Sequence, residues 1–294
     1  MPPHLLPRRL AVQTILCRRM STAPSPSITT RILEAPHTGH VKILSLNRPQ
    51  ARNAISRQLL QDVHHEIEII HSEPSDGPTR ALIIASSVDS AFCAGADLKE
   101  RSTFTQQDTS DFLALLRKTF SRIEELPIPT LTALHAPAFG GGLELALTTH
   151  MRVFASTATV ALPETRLGIL PGAGGTHRLP GIIGLPRARD LILTGRRVAA
   201  PEAYFIGLCD RLVEIKEGEE GKARERVLEE SIKLAMDICE GGPIAIRQAL
   251  RAVNGWKRGQ EAENEAYEMV VDTNDKREAL LAFKEKRKPL FTGR

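Results

Sequence analysis

The chain has 294 residues, 41% hydrophobic and 25% charged, an ordinary globular composition that excludes a collagen, a long coiled coil or a disordered chain. Apolar runs such as Ala81–Ala85 fall far short of the roughly 20 residues of a membrane-spanning helix, so a soluble protein is expected. The formal charge of +4 is concentrated at one end: residues 1–33 hold Arg8, Arg9, Arg18, Arg19 and Arg31 and no acidic residue.

Such an arginine-rich, serine-containing, acid-free segment reads as a mitochondrial transit peptide, with a leader over residues 1–28 and a destination in the mitochondrial matrix. Cleavage near Met20 removes four arginines, and the 39 basic residues then fall to match the 35 acidic ones. A neutral mature chain argues against electrostatic binding of nucleic acid. Cys17, Cys93, Cys209 and Cys239 form no C-x-x-C pair, and adjacent His64 and His65 would face different directions on a helix. Neither a disulfide framework nor a metal site is expected.

From Thr29 onward the pattern is regular. Val41–Leu46 alternates as a strand, Ile55–Ile70 has helical spacing with Ser56 as cap, and residues 72–78 form a turn. A buried strand follows at Ala81–Ser86, an amphipathic helix at 109–125, and strands at Thr130–Leu134, Arg152–Ala155 and Thr159–Leu162. Helices dominate from about residue 176. The order implies an α/β core over residues 29–220 and a helical C-terminal subdomain over 221–294.

Three segments carry chemistry. In Phe92–Glu100, small residues Ala94, Gly95 and Ala96 follow a strand and let backbone approach a ligand, although an ordinary turn would look the same. In Pro137–Leu147, glycines 140–142 open an apolar helical run whose first amides can stabilise developing negative charge on an oxygen. Glu144 lies there between Leu143 and Leu145. It is either a buried carboxylate with a raised pKa, usable as a base, or a glutamate favoured by the helix dipole. In Ala161–Arg178, Glu164 follows an apolar strand at a turn. The glycines at 172, 174 and 175 make no nucleotide loop, because His177 stands where the last glycine of that frame belongs and no G-K-[ST] follows.

Together these segments resemble the enoyl-CoA hydratase/isomerase family, the crotonase superfamily, over nearly all of Thr29–Phe291. The resemblance implies a spiral core of repeated ββα units with a helical C-terminal trimerisation subdomain. It implies an oxyanion hole from the amides of Ala96 and Gly141, and catalytic Glu144 and Glu164 placed around one water. Some branches replace one glutamate; this chain keeps both. Asp97, Leu98 and Lys99, with Phe283 and Lys286 near the C-terminus, are matched to substrate and CoA contacts, though 281–287 alone would read as a solvated helix end.

Within the superfamily, 92–101 and 280–287 look most like methylglutaconyl-CoA hydratases of leucine breakdown, with a general short-chain hydratase as the alternative. Lysine-rich RNA-binding helices described for some of these are not matched, since residues 56–70 contain no lysine. The expected partners are an acyl-CoA substrate and further copies of the chain in a homotrimer or hexamer, with no nucleic acid and no membrane. No metal or separate cofactor is expected, because CoA enters as part of the substrate.

Overall fold

A computed structural model describes residues 26–294; the leader expected over 1–28 lies almost wholly outside the described residues. An edge hairpin opens the fold, with β1 (Ile28–Glu34) antiparallel to β2 (His40–Leu46). Helix α1 (Arg57–His71) follows, its first turn closed by the Ser56 hydroxyl accepting from the Leu59 amide at 3.2 Å. Its Leu59, Leu60, Val63, Ile67 and Ile70 share one stripe at helical spacing and are buried. Strand β3 (Thr79–Ser86) is buried at every position, as its continuous apolar run requires. After it come the short α2 (Leu98–Arg101) and the long α3 (Gln106–Glu124), which begins in a capping box between Thr105 and Asp108.

Next are β4 (Thr130–Leu134), β5 (Ala138–Phe139), α4 (Gly141–Ala146), β6 (Met151–Ala155) and β7 (Thr159–Ala161). The chain continues through α5 (Gly175–Ile183), α6 (Leu185–Thr194), β8 (Val198–Ala199), α7 (Ala200–Phe205) and β9 (Arg211–Val213). It ends in α8 (Ala223–Cys239), α9 (Pro243–Asn254), α10 (Gln260–Val271) and α11 (Asn274–Glu285).

A six-stranded sheet runs β1-β2-β3-β4-β6-β9, parallel from β2 onward, beside a three-stranded sheet β5-β7-β8. Each turn of the chain places one strand in the large sheet and a short extended piece in a second stack. Parallel bridges Ile55 to Ala96 and Cys93 to Ala138, then the β5–β7 pairing, build that stack. This is a mixed α/β core with a helical C-terminal part, the arrangement that the family resemblance implies.

The fold departs from the expected elements in particular places. β1 was not foreseen as a strand, because its residues are mostly exposed on both faces at a sheet edge and carry no alternation. Two short strands, β8 and β9, interrupt the region expected to be helical. α8 begins just inside the expected helical subdomain yet packs on β2, β3, β4, β6 and β9, so it covers the core sheet.

Candidate active site

Ala96 and Gly141 occupy equivalent places on neighbouring turns of the stack, each just beyond a bridged segment. Their backbones meet closely: a Cβ built on Gly95 would lie 3.6 Å from the Gly141 nitrogen, and one on Gly141 would lie 3.8 Å from the Ala96 nitrogen. Gly95 has φ +97° and faces the Phe139 carbonyl at 2.8 Å from that hypothetical Cβ, so only glycine fits between the two segments. The flanking amides are engaged, Ala94 with Arg52, Asp97 with Ile55 and Gly140 with Ala161. The amides of Ala96 and Gly141 have no such backbone acceptor among the described residues. Two unspent donors therefore sit side by side, one of them at a helix start.

Both glutamates are buried, Glu144 at 3% and Glu164 at 8% exposure, but their surroundings differ. Glu144 Oε1 accepts from the amides of Ala173 and Gly175, each at 2.8 Å. Gly175 is required there, since a Cβ would approach Glu144 Oε1 to 3.2 Å and Pro171 Cβ to 2.9 Å. The glycine run 172–175 is thus a cradle for a carboxylate side chain. Burial raises the Glu144 pKa while these two amides and the charges of Arg178 and Arg117 oppose the rise.

Glu164 enters at the end of β7 through Pro163 and a single 3-10 turn over Glu164–Leu167. Its Oε2 is buried without a hydrogen-bond partner among the described residues. Burial pushes its pKa up to about 7, and the charge of Glu144 adds to the shift. Both carboxyl groups are thus raised by burial, but Glu144 has two amides that support its charged form, while Glu164 has a buried oxygen with no donor among the described residues.

A cavity of about 410 Å³ opens at this point. Ala96, Leu98, Gly141 and Glu164 line it, and Glu144 lies directly behind its Ala173 wall. Asp97 does not line it: its carboxylate caps α2 through the Glu100 amide at 3.2 Å and pairs with Arg48 at 3.0 Å. Lys99 is exposed on α2. Phe283, 86% exposed on α11, and Lys286, exposed just beyond it, are not among the lining residues. Sequence reasoning missed the rest of the wall, namely Leu113, Leu116 and Arg117 of α3 and the loop residues Leu167, Ile169 and Leu170. The α3 residues read as an ordinary amphipathic face, and the apolar pair Ile169–Leu170 before Pro171, which the structure leaves exposed, is the one signal the sequence offers.

Residues 37–294 match the family described as enoyl-CoA hydratase/isomerase. The chain belongs to that family. It is 58% identical to an enoyl-CoA isomerase/hydratase of Zymoseptoria tritici, over 98% of this chain and 96% of the relative. It is 51% identical to the mitochondrial methylglutaconyl-CoA hydratase 1 of Pyricularia oryzae, over 98% of this chain and 93% of that one. The crystal structure of an enoyl-CoA hydratase from Bacillus anthracis superposes with a TM-score of 0.82 at 38% identity, covering 91% of this chain and all of the other. The chain is therefore an enzyme of the hydro-lyase type.

Proposed function

We propose that the enzyme adds water across the 2,3 double bond of a short or branched enoyl-CoA, with 3-methylglutaconyl-CoA as its substrate. The 51% identity to the Pyricularia oryzae protein of that name supports this substrate. The observation that carries the mechanism is the unequal setting of the two glutamates, one held by two amides and one with a buried unpaired oxygen. The thioester oxygen accepts from the Ala96 and Gly141 amides, which stabilise the enolate-like charge of the transition state. Glu144 takes a proton from water as its oxygen bonds to C3, and Glu164 gives its proton to C2. The second proton of the water stays on the new hydroxyl. Proton exchange between the two carboxyl groups resets the site.

Replacement tests this division of labour. Glu144→Gln and Glu164→Gln should each lower kcat/KM on crotonyl-CoA and 3-methylglutaconyl-CoA by about 10²- to 10⁴-fold while acyl-CoA binding survives. The double variant should be far less than multiplicatively worse, because both groups serve one transition state. Near-normal hydration by either single variant would refute the two-carboxylate assignment. The arginine-rich residues 1–33 and the mitochondrial naming of the Pyricularia oryzae relative support a place in the mitochondrial matrix.

A further inference from the structure

We propose that Arg117 reads a terminal carboxylate on the acyl chain, an inference that rests on the hydratase reading above. In that reading the two amides fix C1 of the substrate and the glutamates flank C2 and C3. Substituents beyond C3 then continue past the base, away from Ala96 and Gly141. The same cavity is lined by Leu113 and Leu116 of α3 and by Leu167, Ile169 and Leu170, which are apolar. Arg117 of α3 lines it as well.

Its position is fixed. Arg117 Nε donates to the Gly172 carbonyl at 2.7 Å, one residue before the Ala173 amide that holds Glu144. The guanidinium is thereby tethered beside the base, while its two terminal nitrogens have no carboxylate partner among the described residues. Its neighbour Arg178 is already committed, to Glu124 at 2.8 Å and to the Ala173 carbonyl at 2.8 Å. Arg117 also borders an adjoining hollow of about 410 Å³ lined by Ser121, Thr176 and His177, which leaves room for a charged end group and its water. A second cation, Arg101, lines the main cavity from α2 and serves as the comparison. A planar, anchored guanidinium whose terminal nitrogens make no ion pair among the described residues suits bidentate recognition of a carboxylate. Arg117 is exposed, so a purely hydrocarbon chain would leave it solvated and gain nothing from it, whereas a carboxylate gains a charge-assisted pair.

The test compares glutaconyl-CoA with the enoyl-CoA bearing isopropyl in place of its terminal carboxylate, in wild type, Arg117→Met, Arg117→Lys and Arg101→Met. Wild type should prefer the carboxylate. In Arg117→Met the ratio of the two kcat/KM values should fall about 10-fold, between the yield of an exposed ion pair and that of a buried charged hydrogen bond. Arg117→Lys should fall between, having the charge without the Gly172 tether. Arg101→Met should leave the ratio in place. The ratio of Kd values for the two saturated thioesters, which cannot be hydrated, should move in parallel.

A ratio unchanged in Arg117→Met, with both substrates falling together, would show a merely structural role and overturn the proposal. So would a ratio that moves in Arg101→Met instead, or a wild type that turns over the isopropyl substrate and rejects the carboxylate. If wild type hydrates neither substrate, the hydratase reading fails, and the Kd ratio still decides the role of Arg117.

Discussion

Glu164 shows how one side chain can serve chemistry at the expense of stability. Its carboxyl titrates at about 7 in the fold against 4.5 in the free side chain, chiefly because it is buried and secondarily because Glu144 is charged nearby. Two consequences follow from the sign. In the proposed mechanism Glu164 gives its proton to C2 and must be protonated, so kcat/KM for hydration should decline as pH rises through about 7, the limb belonging to the coupled pair. A profile flat from about pH 6 to pH 9 would count against this assignment. For stability, the folded state keeps a proton that the unfolded chain has already released between these two pKa values. The fold's proton-linked advantage is complete below 4.5 and is lost as pH rises to about 7. Glu164→Gln, which cannot ionise, should therefore gain on wild type across that window by on the order of 3 kcal/mol. Denaturant unfolding of both proteins at either end of the window measures it. An unchanged difference would mean that Glu164 is not held protonated.

At the scale of elements, the site depends on how closely α4 approaches the Cys93–Ala96 segment. A Cβ on Gly142 would come within 2.3 Å of the Cys93 carbonyl oxygen and 2.8 Å of Cys93 Cβ, both buried. Gly142→Ala should force the two segments apart, costing about 1–3 kcal/mol of stability. It should also lower hydration more than acyl-CoA binding, since the Ala96 and Gly141 amides would no longer converge. Wild-type thermal stability with full activity would show that the contact relaxes freely. The same scale explains what the sequence disclosed. α1, α3, β2, β3 and β4 were legible because their burial follows a period or fills a run, and the observed bounds lie within three residues of those expected. Glu144 and Glu164 stood out as charges among apolar neighbours. β5 could not be read, since two residues, Ala138 and Phe139, become a strand only through β7 and the Cys93 bridge, both distant in sequence. Arg117 was hidden for the same reason: its role depends on Gly172, 55 positions away.

Across the whole molecule, several large apolar side chains of the last helices are exposed, as are others such as Leu193 and Phe205 on α6 and α7. Val253 is 67% exposed, Trp256 70%, Tyr267 64%, Leu280 64% and Phe283 86%, all in the segment after α8 that has few contacts with the core. Apolar side chains exposed in such number are unfavourable in water, and covering them by a protein partner would relieve that cost. The helices there bury little themselves; α9 buries Pro243 and α10 only Ala262 and Ala266. A further surface would add to the stability of these helices, and a second copy of the chain would offer one of matching character. We expect a homotrimer or hexamer in solution. On α10, Tyr267 and Val271 lie one turn apart and are both accessible, so they share a face. Converting both to glutamate should dissociate the assembly through uncompensated charge in its interface, while leaving the sheet and its buried helices folded. Light scattering should give a threefold or sixfold multiple of the chain mass for wild type and a smaller species for the variant. Circular dichroism should show secondary structure largely retained. A wild type that sediments as a single chain at micromolar concentration would refute the assembly, and a variant of unchanged mass would exclude this face of α10 from the contact.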